Sequence, residues 1–262
     1  MRKLKKIILV IISFLTPVLA FGGNIRILTT EEAPTNYTYA GELTGTSVDI
    51  VKEIKRVINE DAEIEVYPWA RSYRIAKNEP NIAIFTAGKT QERVDLGFKF
   101  VGPIFTRQHI LYKKKGNPIA VKNIQDIKNQ DLVVGCMRDD WRSSYFEGEG
   151  VEVDEVSTQV QNLRKLLVSR LDLWALSDVE APSVVASEGY TMDVIEPVYV
   201  YRVASSYIML SKGTSQDIVD EWQKALRRIE TTGFFDKLTE KWSDILEMEL
   251  DHSKEKGVFI KE

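Results

Sequence analysis

Thr86-Ala87-Gly88-Lys89-Thr90-Gln91-Glu92-Arg93, followed by Phe98-Lys99-Phe100-Val101-Gly102-Pro103, is the stretch from which the rest of the chain can be read. It comes directly after Ile82-Ala83-Ile84-Phe85, an apolar run that predicts a short strand ending at a loop that begins with Thr86. The stretch offers a hydroxyl, a flexible backbone at Gly88 and one fixed cation. Backbone N–H groups and a guanidinium can together hold both oxygens of a small carboxylate. Arginine suits this because its planar fork stays charged at any working pH. A Thr-x-x-Arg on a loop also fits a solvated surface arginine outside the core, so the surroundings have to decide.

Upstream, Ile25 to Leu28 reads as a first strand, and residues 30–45 as a polar loop with Pro34, Tyr37 and two glycines. A helix is expected from about Val48 to Asn59, with Val48, Val51, Ile54 and Ile58 on one face and Thr46/Asp49 at capping-box spacing. Ile64-Glu65-Val66-Tyr67 alternates like a strand, and Pro68 then opens a helix from Trp69 to Lys77. The order β-α-β-α-β is that of an α/β lobe.

Downstream, Ile110-Leu111-Tyr112 predicts a strand, a helix follows near Ile124–Lys128, and Leu132 to Cys136 predicts a second strand. Met137-Arg138-Asp139-Asp140-Trp141 is a polar loop. Gln159 to Ser169 is helical by its apolar spacing, Leu173-Trp174-Ala175-Leu176 is a buried strand ending at Ser177-Asp178, and a helix spans Pro182 to Ala186. The last third adds strand Ser206 to Leu210, a helix capped by Thr214/Asp217 and running to about Glu230, a short helix from Phe234 to Trp242, and a charged, frayed tail over residues 251–262.

The N-terminus has the form of a secretory signal: Arg2, Lys3, Lys5 and Lys6, then an apolar run from Ile7 to Leu19, then a cleavage site near Ala20. The alternative is an uncleaved anchor, although the run is short against the ~20 residues that span a bilayer. Removing residues 1–20 takes the net charge from −4 to −8, which disfavours nucleic acid and anionic lipid as partners. Cys136, the only cysteine, is expected to be a buried strand residue, and it rules out an internal disulfide. With 44% hydrophobic residues and mixed charge, a mature chain of about 240 residues is enough for one large or two small domains.

These pieces, in this order, resemble the periplasmic solute-binding proteins of ABC importers, the polar amino-acid-binding branch (family 3 type). The resemblance covers nearly all of residues 24–245. It is carried by Ile25-Arg26-Ile27-Leu28-Thr29, Leu43-Thr44-Gly45 with Ser47-Val48-Asp49-Ile50-Val51, Tyr67-Pro68-Trp69-Ala70-Arg71, Thr90-Gln91-Glu92-Arg93, Val101-Gly102-Pro103, Val134-Gly135, Arg170-Leu171-Asp172 and Thr232-Gly233-Phe234-Phe235 leading to Trp242. It implies an α/β, two-lobed periplasmic binding protein fold (type II) with two hinge crossings. Lobe one would be residues 24–106 plus 204–250, lobe two 107–203, and the lobes would close over ligand by hinge motion. It also implies a monomer in the periplasm that hands a small ligand, an amino acid or similar carboxylate, to a membrane permease. No cofactor or metal is implied.

Carried onto this sequence, the resemblance gives Arg93 the ligand's α-carboxylate, with Thr86 and Gly88 at the same end. Trp69 matches an apolar wall position, or else belongs to the helix–sheet core. Tyr37 borders the cleft or packs on the surface. Glu32, or its neighbour Glu31, faces the ligand unless both are solvated, and Arg71 faces either cleft or solvent. Lobe two departs from the family pattern: where many relatives have a Gly-Ser or Gly-Thr pair, this chain has Asp139-Asp140-Trp141. The two acids either cap the following helix or offer negative charge to a cationic part of the ligand. Ser177 or Asp178 lies near the position whose acid holds an α-ammonium.

Catalysis is disfavoured. Histidine occurs only at 109 and 252, which leaves no zinc-binding cluster. A Ser/His/Asp triad would have to use His109, beside an apolar strand, and no phosphate-binding G-x-x-x-x-G-K-[ST] loop occurs. The alternatives are a sensory ligand-binding protein that docks on a membrane receptor, or a dehydratase-like enzyme on the same fold.

Overall fold

The computed structural model describes residues 25–261; the signal segment expected at 1–20 lies outside the described residues. The first half runs β1 (Arg26–Thr29), β2 (Tyr37–Tyr39), β3 (Glu42–Thr44), α1 (Thr46–Ile58), β4 (Ile64–Val66), α2 (Trp69–Asn78), β5 (Ile82–Gly88) and α3 (Gln91–Asp95). Then β6 (Lys99–Lys114) leads to α4 (Ile124–Asn129), β7 (Val134–Met137), α5 (Trp141–Gly148), β8 (Val153–Val156), α6 (Gln159–Leu167), β9 (Leu173–Ser177) and α7 (Glu180–Ser187). Finally β10 (Ile195–Leu210) precedes α8 (Gln216–Ile229), α9 (Phe234–Leu246), β11 (Leu250–Ser253) and β12 (Gly257–Ile260).

The main strands pair in the order β4-β1-β5-β10-β6-β9-β7-β8. β4, β1 and β5 are parallel, as are β9, β7 and β8, and between the two sets lie β6 and β10, antiparallel to each other over 16 residues each. These two strands are the crossings between two lobes. One lobe is built on Ile27, Phe85, Ile208 and Trp222 and, on the other face of its sheet, Leu28, Ile84 and Met209. The other lobe is built on Trp174, Leu163 and Leu176 and on Phe146, Val134 and Ala175. β5 and β9 read as unbroken apolar runs because helices cover both faces of a parallel sheet.

Several elements differ from the sequence expectation. β5 does not stop at Phe85. It continues to Gly88 with Thr86 in a left-handed conformation (φ 64°), because β10 pairs alongside with a register shift between Tyr207 and Met209. The expected strands Ile110–Tyr112 and Ser206–Leu210 are only parts of β6 and β10. Polar residues such as Arg107, Gln108 and His109 interrupt the apolar pattern there, while the pairing continues (Arg107 opposite Ala204). The β2–β3 hairpin and β8 were not anticipated, and α9 extends past Trp242 to Leu246.

The caps also differ. α1 starts after Gly45, not through a Thr46/Asp49 box. The Thr46 hydroxyl makes no hydrogen bond among the described residues, and the Asp49 carboxylate instead accepts from Trp242 Nε1 (2.9 Å) and Lys241 Nζ (2.7 Å). A Cβ at Gly45 would lie 2.2 Å from the Thr35 carbonyl oxygen, so glycine is required there. α8 is capped by Ser215, not Thr214.

The tail is not frayed. β11 and β12 form a hairpin, Val258 pairs beside Phe105 of β6, and Val258 is 1% exposed within the first lobe's core. The Thr106 hydroxyl donates to the Lys256 carbonyl at 2.5 Å, and the His252 ring stacks on Phe235 at 3.7 Å. Its charged residues hide two apolar anchors, Val258 and Ile260, spaced as a strand requires.

Candidate functional site

The loops after β1, β5 and β7 meet side chains of the two crossings around a cavity of about 30 Å³. This is where ligands sit in parallel α/β sheets, outside the carboxyl ends of the strands. A space of that size has room for about one water molecule.

Arg93 reaches it from α3. Thr90 caps this helix through Arg93 N–H (3.2 Å), which points the arginine back toward the strand. Its Nη1 donates to the Gly88 carbonyl oxygen at 2.7 Å, and its guanidinium lies 4.9 Å from the Trp69 ring and 5.0 Å from the Tyr73 ring. Arg93 is 3% exposed and forms no ion pair with any described residue. It is therefore a core cation and not a solvated surface arginine, the alternative that the sequence left open. Its polar and ring partners are neutral: the Gly88 carbonyl oxygen and the faces of Trp69 and Tyr73. The Thr86 hydroxyl is also buried without a hydrogen bond among the described residues.

Beside it runs a chain of buried charges. Arg107 Nη1 donates to Glu32 Oε1 (2.6 Å) and lies 3.5 Å from Glu180 Oε2. Glu180 Oε2 accepts from Arg142 Nη2 (3.0 Å) and the Ser177 hydroxyl (2.5 Å). Asp140 Oδ1 caps α5 by accepting from Arg142 N–H (2.8 Å) and lies 3.6 Å from Arg142 Nε. The chain links the β1 loop of one lobe to the β7 and β9 loops of the other. Burial, together with the Glu180 charge, pushes Glu32 up to about 7 against the pull of Arg107 and Arg142. Burial acts on Glu180 too, but Arg142 and Arg107 outweigh it and hold that carboxyl below its ordinary value. Burial, with Arg142, Arg107 and Arg202 nearby, holds the His109 imidazole well below its ordinary range.

A sequence pattern described as bacterial extracellular solute-binding proteins, family 3, matches residues 25–245. The chain belongs to this family. No curated protein matches it. Among solved structures it is similar to a mutant of ArgBP from T. maritima (18% identity, 84% of this chain and 96% of that chain, TM-score 0.72). It is also similar to an ancestral arginine-binding protein bound to arginine (20%, 84% and 98%, TM-score 0.71) and to a histidine kinase sensor domain (16%, 83% and 95%, TM-score 0.74). At these identities the likeness establishes the fold.

In this solute-binding protein, Arg93, Thr86, Gly88, Trp69, Glu32 and Asp140 line the small cavity together. Trp69 both packs in the core and spans the lobes, its Nε1 donating to the Asp139 carbonyl oxygen at 2.7 Å. Asp139 has a left-handed backbone (φ 57°) and offers that carbonyl. Asp140 fulfils the capping expectation and also faces the cavity. Asp139 is not part of that lining, and three further expected residues lie elsewhere. Tyr37 packs edge-on against Trp242 at 6.5 Å, because β2 turns it toward the first lobe's core. Arg71 is exposed and stacks over Tyr67 at 4.0 Å. Asp178 accepts from Gln108 N–H (3.2 Å) and Val179 N–H (2.9 Å), which ties it to β6 and to its own turn. Glu31 is likewise tied to Thr38, through backbone N–H (2.9 Å) and hydroxyl (2.6 Å).

The sequence reading did not place Arg107, Arg142, Glu180, Trp141 and Ser206 at the site, and it read His109 as structural. One signal was present: Arg107 and His109 sit two apart, on one face of an otherwise apolar strand. A larger cavity of about 530 Å³ adjoins through Glu32 and Met137, walled by Pro68 and Val184 among others, but Arg93 does not line it.

The raised Glu32 carboxyl has a measurable consequence. The native state keeps its proton up to about pH 7, while the unfolded chain loses it near 4.5. Between those values the native state binds more protons, so this group makes stability fall as pH rises, with no further change above about 7. Glu180, held low, is ionised in both states across that window and contributes stability that is lost only at lower pH. Urea unfolding at about pH 5 and pH 7 is expected to show a smaller loss of stability in Glu32→Gln than in wild type. An equal loss in both would remove Glu32 as the source.

Proposed function

We propose that the protein captures a small carboxylate-bearing ligand, an amino acid first among candidates, between its lobes and delivers it chemically unchanged to the permease of an ABC importer. The observation that carries this reading is Arg93: a guanidinium 3% exposed, with no acidic partner among the described residues, beside the Gly88 backbone at the end of β5. The ligand carboxylate supplies the missing counter-charge, and Thr86 supplies a hydroxyl. Lobe one comprises 25–106 and 204–260, lobe two 107–203, and the hinge lies where Arg107 stands opposite Ala204. Export by the N-terminal segment, with cleavage near Ala20, and action as a monomer complete the reading.

The test is a thermal-shift screen of residues 21–262 against amino acids, polyamines, small dicarboxylates and sugars. A ligand present at 100 times its dissociation constant adds about 2.7 kcal/mol to stability. A rise in melting temperature with a carboxylate-bearing group is expected. A response to polyamines or sugars alone would overturn the carboxylate reading. A second reading, a sensor that signals to a membrane receptor, is favoured by the likeness to the histidine kinase sensor domain. Cells lacking the protein would then keep ligand uptake but lose a response to the ligand.

A further inference from the structure

Three separate spaces meet at one side chain. The cavity of about 30 Å³, a space of about 380 Å³ bounded by Tyr73 and Arg93, and one of about 210 Å³ bounded by Gly88 and Tyr207 all use Trp141 as a wall. The indole lies directly on the Gly88 backbone: a Cβ built on that glycine would be 3.0 Å from Trp141 Cδ1. The Gly88 carbonyl in turn accepts from Arg93. A molecule held by Arg93 against Gly88 would need the space that the indole fills.

The indole is held by ring contacts alone. Trp69, Trp174 and Trp242 each donate their Nε1 hydrogen to an oxygen, whereas Trp141 Nε1, like that of Trp222, donates to no described residue; Trp222 is 1% exposed and locked in the core, and Trp141 is not. Trp141 is only half-buried and sits at the first position of α5, right after the left-handed turn at Asp139. What surrounds it is complementary to a planar ring. His109 meets it edge-on at 4.7 Å, the Arg202 guanidinium lies 5.0 Å from its ring, and the Tyr201 ring is at 6.4 Å. Edge-on aromatic contacts and a cation over a ring face favour an aromatic occupant over an aliphatic one.

We propose that Trp141 is a displaceable partition occupying the ligand's place, and that the ligand replacing it is a carboxylate bearing a planar aromatic ring. The ring takes over the contacts with His109 and Arg202 while the carboxylate reaches Arg93; the proposal rests on the carboxylate reading of that arginine. An internal side chain that competes for the site lowers apparent affinity by the fraction of molecules in which it is displaced.

Trp141→Ala should therefore bind indole-3-acetate at least about tenfold more tightly than wild type, and more tightly than it binds acetate, by calorimetry on protein shown by circular dichroism to be folded. Equal or weaker binding in the folded variant, or no preference over acetate, would overturn the proposal. In wild type, phenylacetate, an aromatic carboxylate that does not emit in the tryptophan range, should raise acrylamide quenching of tryptophan fluorescence, and Trp141→Phe should abolish that rise. An identical rise in Trp141→Phe would also overturn it, even if the alanine variant does not fold. Free indole binding Trp141→Ala as tightly as indole-3-acetate would support the partition and overturn the role of Arg93. Acetate binding that needs Arg93, with no effect of Trp141, would do the reverse.

Discussion

Replacing Arg93 with glutamine is expected to weaken ligand binding by between thirty-fold and a few thousand-fold. Truncating one partner of a buried, hydrogen-bonded charge pair costs about 2–5 kcal/mol, and each 1.4 kcal/mol is about a tenfold change. The size of the effect follows from burial. At 3% exposure between Trp69 and Tyr73, the guanidinium is shielded from the solvent that would otherwise screen it. The same burial means that the variant loses some stability, since a desolvated cation over an aromatic ring contributes up to about 2 kcal/mol. Binding must therefore be measured on protein shown to be folded, by calorimetry with the ligand found in the thermal-shift screen. Arg93→Lys separates charge from shape. It keeps the cation but not the two-pronged fork, and should fall between wild type and Arg93→Gln. Unchanged affinity in folded Arg93→Gln would take Arg93 out of the site.

Glu180→Ala is expected to cost about 3–5 kcal/mol of stability, the usual consequence of removing one partner from a buried ion pair. Glu180 is 3% exposed and holds Arg142 at 3.0 Å, with Arg107 at 3.5 Å. Its loss leaves two buried guanidiniums in reach of fewer acids, and Arg142 Nε and Nη1 already make no hydrogen bond among the described residues. Urea unfolding measures the loss. The paired variant Glu180→Leu/Arg142→Met removes both charges and should recover much of it, because well-packed apolar replacements of a buried pair are often neutral. If Glu180→Ala unfolds like wild type, the network contributes nothing to holding the fold.

Much of the architecture was legible because it rests on local pattern. The apolar runs at Ile82 and Leu173 are unbroken because the parallel strands there are covered on both faces. The stripe Val48, Val51, Ile54 has helical spacing because α1 buries one face. Arg93, Thr86 and Gly88 were legible as a group because they are close in sequence, on one strand end and the helix that follows it. The hairpin of residues 250–260 was not legible as structure. Its composition is that of a solvated tail, and only Val258 docking beside Phe105 makes it part of the core. The Thr46/Asp49 box failed for a related reason: a tertiary partner, Trp242, far along the chain, takes the Asp49 carboxylate.

The sequence by itself determined the α/β class and the main alternation of strands and helices, since these follow from apolar spacing within a few tens of residues, and its series of short motifs carried the resemblance to the family. Only the tertiary structure decided that Arg93 is buried, that Asp178 is tied to Gln108 of β6, and that Arg107, Arg142, Glu32 and Glu180 form one network. It alone placed the Trp141 indole against Gly88. These are pairings across 38 to 75 residues and more of chain. They depend on how two crossing strands register against each other, and short-range hydrophobic periodicity carries no information about that register.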